Sequence, residues 1–166
     1  MTIAQLHERF LACTGTCTDT RQITAGSLFF ALKGPNFDAN AYAAQALEKG
    51  CRYAVVDDPA VAVDDRYLLV PDVLKALQDL ATHHRRQFRI PFIAITGSNG
   101  KTTTKELVQA VLSADRPTLA TSGNLNNHIG VPLTLLRPTE EYRIAIIEMG
   151  ANKVSDIAEL TAIAEP

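Results

Sequence analysis

Residues 92–114 read FIAITGSNGKTTTKELVQAVLSA: a short apolar run, a turn bounded by two glycines, and a helix-forming stretch that opens on a lysine. This segment constrains the fold more than any other. A run of four apolar residues predicts a buried strand. Gly97 and Gly100 permit backbone angles and close approaches that a β-carbon would block. The stretch 101–114 predicts a helix with Leu107, Val108, Val111 and Leu112 along one side. In a strand–loop–helix of this kind, successive N–H groups and the positive end of the helix converge on one point, which suits an anion. Lys101 adds a mobile charge for outer phosphates, and Thr102 a hydroxyl for Mg²⁺.

The remaining pattern agrees. The runs 27–34, 51–58, 66–70 and 143–150 predict strands, and 38–50, 72–86 and 154–166 predict helices, with Asp38, Asp72 and Ser155 as candidate caps. Alternating strands and helices predict an α/β fold with mostly parallel strands. A break at Pro91 divides the chain into a small N-terminal α/β domain, 1–88, and the first part of a P-loop-type parallel-sheet domain, 89–166. At the end of the 72–86 helix, His83, His84, Arg85 and Arg86 read either as a patch for an anionic ligand or as cations complementing the helix dipole on a solvated face.

Composition narrows the function. A net charge of −2 over 166 residues gives no hint of a nucleic-acid partner, and no run approaches a membrane span. Cys13, Cys17 and Cys51 lack a disulfide framework or a second Cys/His pair at ligand spacing, so reduced thiols and a cytoplasmic location are expected.

The common P-loop pattern places four residues between its glycines. Here Ile95 stands at the first glycine position and the spacing is Gly97-x-x-Gly100-Lys101-Thr102. The plainer alternative is a glycine turn with Lys101 on the surface; three threonines directly behind Gly-Lys argue against it. Glu148 ends the apolar run 143–148, where a parallel sheet gathers its ligands. It reads as a Mg²⁺ ligand or as a strand end facing solvent. Asn124, Asn126, Asn127 and His128 cluster in a glycine-bounded loop, either as amide donors to a substrate or as turn residues.

Together, TGSNGKTTTKE, TSGNLNNHIGVPLTLL and IIEMGANKVSDIAELTAIAEP resemble the Mur ligase family of cell-wall biosynthesis, short glycine spacing included. TDTR at 18–21 and GSLFFALKGPNFDAN at 26–40 resemble that family's UDP-binding domain. The resemblance implies a backbone cradle from Gly97, Ser98, Asn99 and Gly100, with Lys101, Thr102 and Thr103 on ATP. Thr102 and Glu148 would hold Mg²⁺, with Lys101 and Glu148 the catalytic pair. Asp19, Thr20, Arg21, Lys33, Gly34 and Asp38 would bind the UDP-linked substrate, and Asn126 and Asn127 would lie near the phosphate and substrate junction. Asp38-Ala39-Asn40 departs from the family's usual Asp-Gly-His or Asp-Gly-Asn.

The Glu-Met-Gly-Ala segment resembles the branch that joins D-alanyl-D-alanine to UDP-N-acetylmuramoyl-tripeptide, with an acyl phosphate as intermediate. Residues 1–166 would then be the N-terminal and partial central domains, inactive as a ligase alone, and 91–166 would be unstable in isolation. The competing readings are a sister ligase adding a diamino acid to the dipeptide precursor, a non-catalytic nucleotide-binding module, and a P-loop kinase or hydrolase.

Overall fold

The computed structural model describes residues 1–166, which divide by contact into Met1–Leu80 and Ala81–Pro166. The first unit opens with α1 (Ile3–Leu11), which the sequence reading left unassigned. A capping box starts it: the Thr2 hydroxyl accepts from Gln5 N at 3.3 Å and the Gln5 amide oxygen accepts from Thr2 N at 2.9 Å. Leu6 and Phe10, four apart, face inward.

Next come β1 (Thr16–Cys17) and β2 (Leu28–Phe30), then a hairpin of β3 (Lys33–Gly34) and β4 (Phe37–Asp38). The single strand expected over 27–34 is thus two short ones with a break, because β3 turns back antiparallel on β4. A 3-10 helix, Ala39–Tyr42, precedes α2 (Ala43–Glu48), so the helix expected from 38 begins as a tighter turn. Asp38 does cap it, accepting from Asn40 N at 2.9 Å. After β5 (Tyr53–Val56) and β6 (Tyr67–Leu69), the first sheet is complete, all parallel, in the order β1-β2-β5-β6. Its central strands β2 and β5 are apolar and almost wholly buried, as a sheet covered by helices requires, while the edge strand β6 leaves Leu69 exposed. One core of this unit joins Cys17, Phe29, Ala43, Leu47, Ala54 and Val56.

Helix α3 (Val73–Arg85) is capped by Asp72, whose carboxylate accepts from Lys75 N at 2.7 Å. Its buried stripe is Val73, Leu77, Leu80 and Ala81, and Leu74 faces outward.

The second unit carries β7 (Phe92–Ile95), α4 (Lys101–Ser113), β8 (Thr118–Ala120), α5 (Gly130–Leu135), β9 (Ile144–Glu148) and α6 (Asp156–Ala164). Its sheet is parallel, in the order β7-β9-β8. Strand β9 lies in the middle and is buried throughout. Helix α6 does bury Leu160, yet Ser155 does not cap it through its side chain. Ser155 sits in the left-handed region, and the Asp156 carboxylate gathers the preceding N–H groups instead.

Two expectations change here. The apolar side of α4 is not its buried side: Leu107 and Val111 are exposed, while Lys105 is 1% exposed. The face turned to β8 and β9 is the one that lets the Lys105 ammonium donate to Thr121 O at 2.8 Å. Nor is the end of α3 a solvated cationic face. Its cations close the C-terminus of α6: Arg85 donates to Ala164 O and Glu165 O, Thr82 to Ile163 O, and Arg86 pairs with the Glu165 carboxylate. Guanidinium donors on the last carbonyls of a helix satisfy groups that have no partner within it. No helix is long and apolar enough to cross a membrane.

Candidate functional site

In the second unit, the register of the sheet brings two sequence signals together. Ile95, the last residue of β7, pairs with Glu148, the last of β9. Strand ends in a parallel sheet point the same way, so the Glu148 carboxylate emerges beside the Thr96–Gly100 bend. The bend needs its glycines, since φ is +151° at Gly97 and +75° at Gly100. Gly100 then starts α4 without any side-chain cap, and the first-turn N–H groups have no intrahelical partner. The Lys101 ammonium folds back over the bend and donates to Gly97 O at 2.8 Å. Ser98, Asn99 and Thr103 stay exposed around it.

Glu148 is 1% exposed. One carboxylate oxygen accepts from the Thr102 hydroxyl at 3.2 Å and from the Asn126 amide at 2.8 Å. The other, Oε2, is buried and accepts no hydrogen bond. A buried carboxylate oxygen without a donor costs free energy in a fold that has no use for it. A hard divalent cation would satisfy it, and the neighbouring Thr102 hydroxyl is a second oxygen of the right chemistry. The residues present therefore fit Mg²⁺.

Two residues that the sequence reading did not single out hold this geometry. Thr121, just past β8, accepts from Glu148 N through its hydroxyl at 2.9 Å and from Lys105 Nζ through its carbonyl at 2.8 Å. This chain ties α4, the end of β8 and the end of β9 into one frame. No local signal marks either residue, because each acts through a partner at least 16 positions away.

Asn126 and Asn127 diverge. Asn126 reaches Glu148 with its amide, and its carbonyl accepts from Gly150 N at 2.7 Å. The Asn127 side-chain oxygen instead accepts from Ile129 N at 3.0 Å and Gly130 N at 2.9 Å, holding the turn that leads into α5. Turn chemistry thus commits one amide oxygen of the pair.

In the first unit, Thr18, Asp19, Thr20 and Arg21 line one side of a cleft of about 570 Å³, a volume typical of small-molecule sites. Phe29, Phe37, Ala39 and Tyr42 complete it. Phe37 and Tyr42 are more than half exposed, large rings presented at the mouth of a cleft. Sequence reasoning missed both. Gly34 makes room for the Phe37 ring: a β-carbon there would lie 2.2 Å from a ring atom.

The Arg21 guanidinium donates to both oxygens of Asp19. These bonds hold the Asp19 carboxyl down at about 2. Lys49 pins the same turn by donating to Thr20 O at 2.9 Å.

Lys33 is already engaged, 2.9 Å from Asp57 and 3.5 Å from Asp38. Burial pushes the Asp57 carboxyl up, but the bonds from Lys33, Asn40 and Val73 N outweigh it and bring it below its ordinary value. Asn40 bridges the two acids, its amide donating to each at 2.7 Å. Ala39 is the position that departs from the family's usual motif; Asn40, which fits it, organises this network. The three thiols are held protonated by burial, Cys13 up to about 11, and so are not poised as metal ligands.

Comparison with known proteins adds independent weight. Residues 13–85 match the family profile described as "Mur ligase family, catalytic domain", and residues 95–166 the one described as "Mur ligase middle domain". The chain is 47% identical over 149 residues to UDP-N-acetylmuramoyl-tripeptide–D-alanyl-D-alanine ligase of Escherichia coli (strain K12), covering 90% of this chain and 33% of that protein. To the Bacillus subtilis (strain 168) ligase of the same name it is 41% identical over 154 residues, covering 92% and 34%.

Among solved structures, MurF from Acinetobacter baumannii superposes with a TM-score of 0.86 at 38% identity, over 99% of this chain and 39% of that one. MurF ligase from Thermotoga maritima in complex with ADP gives 0.82 at 32%, over 93% and 36%. The chain spans about a third of the length of the curated relatives it matches. With both profiles matched in order along the chain, and a parallel-sheet fold shared with solved family members, the chain belongs to the Mur ligase family.

Proposed function

We propose that this chain supplies the UDP-substrate-binding part, 1–88, and the first ATP-binding part, 89–166, of an ATP-dependent ligase. That ligase joins D-alanyl-D-alanine to UDP-N-acetylmuramoyl-tripeptide during peptidoglycan precursor synthesis. The observation that carries the reading is the buried Glu148 carboxylate beside the glycine bend, with one oxygen bonded by Thr102 and Asn126 and the other unmatched.

The reaction runs in two displacements. The tripeptide's terminal carboxylate attacks the γ-phosphorus of ATP, and ADP leaves. The amine of D-alanyl-D-alanine then attacks the acyl carbon of the acyl phosphate, and inorganic phosphate leaves with the bond electrons. Phosphorylation is needed because a carboxylate oxygen is otherwise a poor leaving group.

The protein's share is positioning and charge stabilisation. Backbone N–H groups from Gly97 to Gly100, with Thr103 beside them, line the phosphate position. The Lys101 ammonium moves from Gly97 O onto the outer phosphates. Thr102 and Glu148 would hold Mg²⁺, which when bound would neutralise charge on the transferring group. Asn126 keeps Glu148 aimed at that position, and Asn127 keeps the loop in shape. In the other unit, Asp19, Thr20 and Arg21 bind the uridine end of the substrate, and Phe37 and Tyr42 offer faces for the base. Lys33, Gly34 and Asp38 shape the adjoining hairpin. Reliance on ATP and a UDP-linked precursor, with three cysteines outside any disulfide, suits the cytoplasm.

Calorimetric titration of the 166-residue chain separates the two sites. Lys101→Ala is expected to weaken Mg·ADP binding by about tenfold or more, the loss of one charge-assisted contact, and to leave UDP-N-acetylmuramoyl-tripeptide binding unchanged. Arg21→Ala is expected to do the reverse. Equal effects of either variant on both ligands would overturn the assignment.

A further inference from the structure

A second cluster lies outside the residues just assigned. His128 Nε2 is 2.7 Å from Glu159 Oε2 and 3.9 Å from Asp156 Oδ1, and all three donor atoms lie within 4.8 Å of one another. The Asp156 side chain is 5% exposed, and its Oδ1 accepts no hydrogen bond. Its other oxygen is fixed by backbone donors, Asn152 N at 2.8 Å and Lys153 N at 3.0 Å. So the carboxylate is held from behind while its free oxygen turns toward the imidazole. Asp156 and Glu159 stand three apart on the first turn of α6, which puts them on one face.

We infer that His128, Asp156 and Glu159 form a binding site for a divalent transition-metal ion of the Zn²⁺ class, separate from the cation position at Thr102 and Glu148. This inference does not rest on the ligase reading. Tetrahedral coordination at bond lengths of about 2.0–2.1 Å sets donor atoms about 3.3 Å apart. The observed 2.7 and 3.9 Å straddle that spacing, and the third pair lies within 4.8 Å, so small side-chain movements bring the three donors to it. One imidazole with two carboxylates suits borderline cations, whereas Mg²⁺ demands oxygen and sheds water reluctantly. Three protein ligands leave a fourth position for water.

The cations nearby do not outweigh the acids. The helix start contributes about half a positive charge and Lys153 one more, both partly screened by solvent, against two carboxylates. Occupancy would clip the loop carrying Asn126 to the start of α6. Asn126 is two residues from His128 and bonds Glu148, so the ion would stiffen the segment that aims Glu148.

Chelator-treated chain titrated with ZnCl₂ near neutral pH is expected to bind one ion at this cluster and to gain thermal stability; Glu148→Gln, which removes the Mg²⁺ ligand, is expected to keep that gain in ZnCl₂ and to show none in MgCl₂. His128→Gln and Glu159→Gln are each expected to weaken zinc binding by at least about tenfold. Glu148→Gln and a chain with all three cysteines changed to serine are expected to bind as before. Glu159 is 53% exposed, so its variant keeps the fold even if the His128 variant does not. Absence of saturable zinc binding overturns the site. So does zinc binding unchanged in Glu159→Gln, or lost in Glu148→Gln or the cysteine-free chain.

Discussion

At the scale of single residues, the site depends on one close approach. A β-carbon on Gly130 would lie 2.3 Å from Leu125 Cα and 2.4 Å from its carbonyl carbon, both backbone atoms that cannot swing away. Gly130→Ala is expected to cost about 3 kcal/mol in urea unfolding, since either α5 or the Asn126 loop must shift. A variant that unfolds with the parent's midpoint would show that the loop gives way freely. The residues that carry the phosphate-site reading were legible in the sequence: Gly97, Gly100, Lys101 and Thr102 sit in one short window, and Glu148 ends an apolar run. Lys105, Thr121, Phe37 and Asn40 were not. A lysine on a helix or a threonine after a strand becomes informative only when a partner far along the chain is in place, and sequence spacing does not supply that partner.

At the scale of elements, the longer strands and helices α3 and α4 were readable: Asp72 and an apolar stripe mark α3, and the glycine bend marks the start of α4 even though its apolar side is not its buried side. The short elements were not. Strand β1 has two residues and β8 three, too few for an alternation to show. Helix α5 carries Pro132 in its first turn, where a missing N–H costs nothing, and so reads as a loop. The end of α3 shows the same limit. Its histidines and arginines look like a surface cluster, but His84 is buried, with its ring N–H donating to Pro138 O at 3.3 Å.

Burial holds the His84 pKa below its ordinary 6.5, against a smaller opposing effect of that carbonyl. The unfolded chain therefore takes up a proton first as pH falls. The stabilising contribution is complete above 6.5 and shrinks as pH drops below it toward the folded value. Thermal melts on descending from neutral pH should show falling midpoints, and His84→Gln should show a shallower fall over the same range. Identical slopes would remove His84 as the cause.

At the scale of the whole molecule, the second unit begins before its first strand. Arg85 lies 4.0 Å from the Phe92 ring centroid while donating to the α6 carbonyls, and His84 reaches Pro138. A piece starting at residue 91 loses all of these and keeps a three-stranded sheet with β7 and β8 as open edges. Residues 91–166 alone are expected to melt without a cooperative transition. A sharp melt with protected amides on Ile144–Glu148 would contradict this.

The order β7-β9-β8 also sets a schedule for biogenesis. Neither outer strand has its sheet neighbour until β9 leaves the ribosome, roughly 50 residues after Ile95, which at about 5–20 residues per second is a wait of about 3–10 s. Glu148 closes that same central strand, so the acid that completes the cation position arrives with the strand that completes the sheet. A nascent chain that ends before β9 holds the glycine bend and Thr102 but lacks the carboxylate we propose as the other ligand of the ion.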